Sequence, residues 1–160
     1  MESLSLTTKI LVYTFDEGTE NIKKLINEAK LATKNAYAPY SGFHVGAAVL
    51  LSGGEIISGN NQENAAYPSG LCAERVAIFA SNSQKPDTAI EAIAIAGFHD
   101  GDFTDLPCCP CGSCRQVMIE VENRFEKSVR VIMYGKSKIY EVESAKDLLP
   151  LSFGKESLSE

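Results

Sequence analysis

Residues 61–74 carry the sequence NQENAAYPSGLCAE, and the rest of the chain is organised around them. The stretch ends in Cys72 and Glu74, a thiol and a carboxyl group two positions apart, where a helical pattern begins. A second segment, PCGSC at residues 110–114, also opens a helical pattern further along the chain. The N-termini of two helices can therefore converge on one site.

The residue types at these two helix starts are those of a zinc site. A catalytic zinc ion has three protein ligands and keeps its fourth position for water. Cys111 and Cys114 lie at the start of a helix, where the helix dipole favours the thiolate form. Cys72 then supplies a third sulfur, and Glu74 reaches the water without being a ligand. The pattern predicts a hydrolytic zinc centre.

Length and charge restrict the fold and the class of partner. A chain of 160 residues is long enough for one domain with a hydrophobic core, which we take as residues 1–160. The formal net charge is −6, from 15 basic and 21 acidic residues. Proteins that bind a nucleic-acid backbone generally carry a basic surface, so the charge favours a small-molecule substrate and disfavours nucleic acid.

The cysteine usage indicates a reducing compartment. The chain has five cysteines, an odd number, and four of them lie between residues 108 and 114. This arrangement suits a disulfide framework poorly, and the N-terminus lacks the pattern of a secretory signal. No apolar run approaches the roughly 18 residues of a membrane span. We therefore expect a cytoplasmic protein without a membrane partner.

The hydrophobic pattern predicts an α/β fold. Apolar residues recur at helical spacing from 19 to 37, and two helices follow the cysteine segments, the first ending near Ser83. In the second, Val117, Met118, Val121 and Phe125 form one face, with Glu120, Glu122 and Glu126 outside. The predicted strands are 44–51 and 55–59, which form a hairpin, followed by 90–97, 129–134 and 138–142.

Alternation of strands and helices after the hairpin predicts a mixed sheet of about five strands. Helices on both of its faces make a three-layer α/β/α sandwich. Residues 101–110 are expected to be a loop, and residues 145–149 a helical turn. The apolar patch at 10–13 stands out in the first 18 residues, to which no role is assigned.

At this level the chain resembles the zinc-dependent cytidine deaminases. The segments CAE at 72–74 and PCGSC at 110–114 match the metal signature of that superfamily. The similarity covers roughly residues 22–154 and is closest to the small homotetrameric enzymes that act on the free nucleoside and have three cysteine ligands. Four further motifs carry it: FHVGAA at 43–48, NQENAAYP at 61–68, CGSCRQ at 111–116 and LLPLSFG at 148–154.

The resemblance implies a role for each matching residue. Cys72, Cys111 and Cys114 would hold one Zn²⁺ per subunit, and Glu74 would transfer protons. Asn61 and Glu63 would bind the ribose hydroxyls. Phe43 would pack near the pyrimidine, and the N–H of Ala73 would face the base carbonyl. Phe153 would enter a neighbouring subunit's site. Arg75 and Tyr67 would have supporting roles. The implied assembly is a homotetramer with shared active sites.

Physical chemistry supports these roles. Three thiolates leave a zinc site with a net negative charge, which opposes ionisation of the water, and Arg75 beside a sulfur would offset that charge. Glu74 would take a proton from the attacking water and deliver it to N3 of cytosine. Buried groups that bind ribose hydroxyls reject a ligand without them, so the free base should be a poor substrate.

The expected function is hydrolytic deamination of cytidine and deoxycytidine in pyrimidine salvage, and the sequence does not separate the two nucleosides. Cys108 and Cys109 fit no role in the family and leave one alternative from another class. Cys108-x-x-Cys111 is also metal spacing, so a closed four-cysteine zinc module without catalysis is possible. The alternatives among deaminases act on a cytosine-nucleoside antibiotic, on deoxycytidylate or on nucleic acid.

Overall fold

Seven strands and three α-helices form the part of the chain that the computed structural model describes, residues 1–158. The strands are β1 (Leu11–Tyr13), β2 (His44–Leu51), β3 (Ile56–Asn60), β4 (Ile90–His99), β5 (Asp102–Phe103), β6 (Arg130–Tyr134) and β7 (Ile139–Val142). The helices are α1 (Glu20–Ala32), α2 (Ala73–Gln84) and α3 (Gly112–Phe125). Within residues 1–158, no helix has the length and apolar character needed to cross a membrane.

The strands form one mixed sheet in the order β1-β7-β6-β4-β2-β3, with β5 paired to β4. Strands β4 and β6 run parallel, and the other neighbours are antiparallel. The parallel pair needs a crossover, and helix α3 supplies it between β4 and β6. The crossover therefore leads the chain through the cysteine segment at 108–114.

Alternation of side chains along the central strands divides the core into two layers. On β4, Ile93 and Ile95 pack in one cluster with residues of α2 and α3. Their neighbours Ala92 and Ala94 point to the other side and pack with the apolar face of α1. The predicted α/β class and the three-layer sandwich are confirmed, with α1 on one face and α2 and α3 on the other.

Two glycines set the close approach of helices to this sheet. A Cβ atom on Gly46 would lie 2.0 Å from the carbonyl oxygen of Ala29 in α1. On the opposite face, a Cβ atom on Gly59 would lie 2.5 Å from the backbone nitrogen of Ala77 in α2. Both contacts are with backbone, which has little freedom to move. Any larger residue at either position would displace a helix. Displacement of α2 would also move Cys72, which caps this helix.

The expected number of strands, about five, is too small. Strand β1 lies in the first 18 residues and pairs with β7, and β5 lies in the segment that was expected to be a loop. Tyr13 at the end of β1 donates a hydrogen bond through its hydroxyl to the side chain of Glu141 in β7. The long predicted helix also ends earlier, at Ala32, and the chain continues as a 3₁₀ turn at Thr33–Asn35.

The prediction that Glu122 lies on the outer face of its helix is wrong. Its side chain is only 3% exposed, whereas Glu120 and Glu126 are exposed as expected. The Glu122 carboxylate accepts hydrogen bonds from the backbone N–H groups of Val129 and Ala145, at 2.7 and 2.8 Å. Glu122 therefore joins the end of α3 to the segments before β6 and after β7.

Candidate metal centre and active site

Three cysteine side chains meet where helices α2 and α3 begin. Cys72 is the N-cap residue of α2 and Cys111 is the N-cap residue of α3. Cys114 lies in the first turn of α3, where it is fully buried. The Cys-x-x-Cys spacing brings Cys111 and Cys114 to the same end of one helical turn, and the packing of α2 beside α3 adds the third sulfur.

The distances between the sulfur atoms suit a tetrahedral metal ion. The Sγ atom of Cys111 lies 3.8 Å from that of Cys72 and 3.5 Å from that of Cys114, and all three atoms lie within 4.8 Å of one another. Zn–S bonds of about 2.3 Å at tetrahedral angles place sulfurs about 3.8 Å apart. The three thiols therefore fit one zinc ion without rearrangement of the backbone.

Cys108 and Cys109 do not belong to this cluster. Among residues 1–158, the potential ligand atoms that lie together are those of the three other cysteines. Cys108 lies in the wall of the adjoining cavity, and burial raises the pKa of its thiol to about 12. Cys109 is exposed, and its thiol contacts the carbonyl oxygen of Pro107. The geometry does not favour the closed four-cysteine module.

Arg75 lies beside the sulfur of Cys72. Its Nη2 atom is 3.9 Å from the Cys72 Sγ and donates to the carbonyl oxygen of Gly70 at 3.3 Å. Hydrogen bonds from Cys114 and from Arg75 lower the pKa of the Cys72 thiol to about 5, although burial opposes the shift. This position therefore favours a thiolate, the form that binds metal.

Glu74 is the buried acid of the site. It is 4% exposed in the first turn of α2, two residues after the N-cap. Burial raises the pKa of its carboxyl group above the usual range, and the charge of Cys72 acts in the same direction. A raised pKa suits a carboxyl group that must hold a proton during part of a reaction.

A cavity of about 330 Å³ opens in front of the thiols and Glu74. Its wall includes three of the predicted substrate-binding residues, Phe43, Asn61 and Glu63, together with Val45 and Cys108. The volume is near the lower end of the range for small-molecule sites. Residues from four separate parts of the chain thus form one pocket beside the candidate metal centre.

Asn61 and Glu63 also hold the backbone of the pocket wall. The Asn61 side chain accepts a hydrogen bond from the N–H of Val45 and donates one to the carbonyl oxygen of Phe43, at 2.8 and 2.9 Å. An amide keeps one donor and one lone pair after these bonds. The Glu63 carboxylate accepts hydrogen bonds from the Ser41 hydroxyl and from two backbone N–H groups of the same loop, and these bonds lower its pKa.

The other predicted site residues, Ala73, Tyr67 and Phe153, do not line this cavity. Ala73 is fully buried as the first residue of α2, so its N–H is one of those with no acceptor inside the helix. Tyr67 lines a second cavity of about 490 Å³ that shares Asn61, Glu63 and Cys72 with the first. Phe153 is 60% exposed and lines neither cavity in the described part of a single chain.

Two residues at the site were missed in the sequence. Ser41 donates to the Glu63 carboxylate, and His99 packs its ring against Phe43 with the centroids 5.8 Å apart. Ser41 lies in the helix-breaking segment before Phe43, which is the one local signal that could have drawn attention to it. For His99 there was none, because the predicted strand ends at residue 97, whereas β4 continues to His99.

Comparison with known proteins agrees with this geometry. The family model of the cytidine and deoxycytidylate deaminase zinc-binding region matches residues 19–131. A cytidine deaminase from Sporosarcina psychrophila is 43% identical over 140 residues, which cover 87% of this chain and 96% of that protein. One from Halalkalibacterium halodurans is 47% identical over 97 residues, covering 61% and 69% of the two chains.

Solved structures give the same result. The crystal structure of cytidine deaminase from Burkholderia pseudomallei superposes with a TM-score of 0.70 at 40% identity and covers 82% of this chain and 98% of that chain. For the Mycobacterium tuberculosis enzyme the TM-score is 0.66 at 32% identity, with 83% and 97% covered. The family match also confirms the prediction of zinc as the cofactor. The chain therefore belongs to the cytidine deaminase family of zinc-dependent hydrolytic deaminases.

Proposed function

We propose that this protein converts cytidine and deoxycytidine to uridine and deoxyuridine by hydrolysis, with release of ammonia. The observation that carries the proposal is a buried carboxyl group, Glu74, beside three thiols with the separations of a tetrahedral zinc site. A structural zinc site needs no acid of this kind. The acid, the cluster and the adjoining cavity together fit hydrolysis of a small molecule.

Cys72, Cys111 and Cys114 are the proposed ligands of one zinc ion per subunit. Zinc bound by three protein ligands lowers the pKa of a coordinated water towards neutrality. Arg75 faces the sulfur of Cys72, so its positive charge offsets part of the negative charge of three thiolates. Without the charge of Arg75, three thiolates would keep the pKa of a zinc-coordinated water higher.

Glu74 is the proposed acid and base. Its carboxylate accepts a proton from the attacking water, and the resulting carboxylic acid donates that proton to N3 of the pyrimidine while C4 is attacked. A second proton transfer through Glu74 to the amino group allows ammonia to leave. Burial favours the protonated state that forms between these steps, because it disfavours the charged form of the carboxyl group.

The wall of the cavity accounts for recognition of the nucleoside. Phe43 offers an apolar surface to the pyrimidine, and the N–H of Ala73 is a donor for the base carbonyl. Asn61 and Glu63 retain hydrogen-bonding capacity for the ribose hydroxyls. The negative charge of Glu63 in this region disfavours a phosphorylated sugar, so we expect the nucleoside and not deoxycytidylate to be the better substrate.

We propose a homotetramer with shared active sites. Large apolar side chains are exposed near the C-terminus and on the rim of the second cavity: Leu151 at 85%, Phe153 at 60% and Tyr67 at 77%. Burial of such a surface is the usual driving force of subunit association. In this assembly Phe153 of one subunit would complete the site of its neighbour, and the apparent mass in solution would be four times 17.3 kDa.

The setting we propose is pyrimidine salvage in the cytoplasm. All five cysteines are free, and a site of three thiolates needs reduced thiols. The two helical layers pack on one sheet, which supports a single deaminase domain for residues 1–160.

The decisive experiment measures ammonia release from cytidine, deoxycytidine, cytosine and deoxycytidylate. We expect turnover of the two nucleosides and little of the base or the nucleotide. Glu74→Gln should keep zinc and lose about three to four orders of magnitude in kcat. Glu120→Gln, an exposed acid on α3, is the matched control and should leave both unchanged. Full activity of Glu74→Gln, or a preference for deoxycytidylate, would contradict the proposal.

A further inference from the structure

A short hairpin borders the pocket. Strands β4 and β5 pair through Phe98 with Phe103 and through His99 with Asp102. The turn between them contains Asp100 and Gly101, both with positive φ, of 51° and 83°. Two successive residues of this kind form the tight turn that suits a two-residue hairpin, and Asp-Gly is a favoured pair for it. The turn fixes His99 at the end of β4.

His99 faces the same side of the sheet as the pocket. Side chains alternate along a strand, so His99 follows Gly97 and Ile95 on the face that carries α2 and α3. The Phe43 ring rests directly over Gly97, where an added Cβ atom would lie 3.0 Å from its Cζ atom. The ring of His99 packs beside it at an interplanar angle of 42°.

The imidazole of His99 also holds the backbone next to Phe43. Its Nδ1 atom lies 3.1 Å from the carbonyl oxygen of Gly42, so the tautomer that forms this bond has a proton on Nδ1. Its Nε2 atom lies 3.3 Å from a carboxylate oxygen of Asp100, within its own turn. One side chain thus contacts the ring of Phe43 and the carbonyl group of the preceding residue.

The opposite side of the same loop is fixed by the candidate ribose-binding residues. Asn61 bonds the carbonyl oxygen of Phe43, and Glu63 bonds Ser41. These contacts hold the backbone of the loop. His99 adds a contact to the Phe43 ring itself, beside the one that the ring makes with Gly97.

We propose that His99 is a positioning residue for substrate binding, which fixes the Phe43 ring against Gly97 as one wall of the base pocket. This inference rests on the proposed function. Glu74 and the three thiols lie at the N-terminal ends of α2 and α3, and His99 lies on neither helix. The contact therefore acts on the affinity for the nucleoside and leaves the proton transfers unchanged.

Two variants separate the contacts of His99. His99→Ala removes the ring and the hydrogen bond, whereas His99→Phe keeps a ring beside Phe43. Aromatic pairs contribute about 0.5–1.5 kcal/mol beyond burial, which corresponds to about a twofold to tenfold change in affinity. We expect His99→Ala to raise the KM for cytidine by about this factor, with kcat nearly unchanged, and His99→Phe to restore part of the loss.

Lys136→Met is the matched control, because it removes an ion pair to Asp102 on the same hairpin without a contact to Phe43. It should not change KM. Zinc content and circular dichroism check the fold of each variant, and calorimetry with uridine measures binding without turnover. If the wild type binds uridine but does not deaminate cytidine, the proposed function fails while the Kd for uridine still tests His99.

Unchanged KM and uridine Kd in His99→Ala would overturn the inference. So would a fall in kcat at constant KM, since that result would place His99 in the chemical step. Equal increases of KM in His99→Ala and Lys136→Met would also overturn it, because general weakening of the hairpin would then be the cause. If His99→Ala does not fold, the result for His99→Phe decides: KM close to that of the wild type supports the role of the ring.

Discussion

Replacement of Glu122 tests whether a buried carboxylate joins α3 to the sheet. Its Oε1 atom accepts hydrogen bonds from the N–H groups of Val129 and Ala145, and both of its oxygens lie within 3.0 Å of the Ser144 hydroxyl. Val129 is 2% exposed and Ala145 is fully buried. Within residues 1–158, the Glu122 side chain is therefore the acceptor that these two buried N–H groups have.

The expected loss of stability follows from these contacts. Glu122→Ala leaves two buried N–H donors without an acceptor, and each costs about 1–3 kcal/mol, so we expect a loss of about 4 kcal/mol in the free energy of unfolding. For a chain of this size, that loss corresponds to a decrease in Tm of about 8–16 °C. Glu122→Gln keeps the oxygen that accepts both N–H groups and should lose only about 1 kcal/mol.

Urea denaturation followed by circular dichroism measures these differences. Glu120→Ala is the matched control, since it removes an exposed acid two residues earlier on the same helix. All variants should be compared at one protein concentration with zinc saturated, because association and metal binding both change apparent stability. Equal stability of Glu122→Ala and Glu120→Ala would refute the argument. Equal losses in the Ala and Gln variants would show that the charge of Glu122, and not its two N–H contacts, stabilises the fold.

Three further variants test how the site is built. Gly59→Ala places a Cβ atom 2.5 Å from the backbone nitrogen of Ala77, so we expect it to lower the free energy of unfolding in urea by about 1–3 kcal/mol. Gly53→Ala, with open space around it, is the control and should not lower it. Equal stabilities of the two variants would contradict the close packing of α2. Asn61→Ala removes two hydrogen bonds to the pocket wall, so we expect it to raise the KM for cytidine about tenfold. Its zinc content, measured by atomic absorption, should not change. An unchanged KM would exclude Asn61 from binding the nucleoside. Arg75→Met should lower kcat about tenfold to a hundredfold through loss of the charge beside the thiolate; full kcat with zinc bound would refute that role.

Much of the fold could be predicted because its signals are local. The turn at Gly53 and Gly54 separates two apolar runs, and strands β2 and β3 form there as expected. Strand β1 has three residues and β5 has two, so neither is long enough for alternation to be recognised. Each exists through a pairing, with β7 or with β4, that a single segment does not encode.

Burial of an acid is also invisible in a periodic pattern. Glu122 occupies a helix position that a charged residue normally exposes, and its burial depends on N–H groups from two other segments. The site also contains both local relations, which could be predicted, and long-range contacts, which could not. Cys72 and Glu74 are two residues apart, so their relation is local and was predicted. The contacts of Ser41 with Glu63 and of His99 with Phe43 join distant segments, and no pattern in the sequence pairs them.

The N-caps of α2 and α3 carry a cost in stability that the proposed zinc ligation would offset. Serine, threonine, aspartate and asparagine are favoured at this position because they bond the free N–H groups of the first turn, and their absence costs about 1 kcal/mol per helix. Here cysteines occupy both caps, and neither makes a side-chain capping bond. Three thiolates at these separations would repel one another. A bound zinc ion removes that repulsion and stabilises the folded form by considerably more than the lost caps cost. The arrangement that weakens the helix ends without metal would therefore hold both helices together at the proposed site when metal is bound.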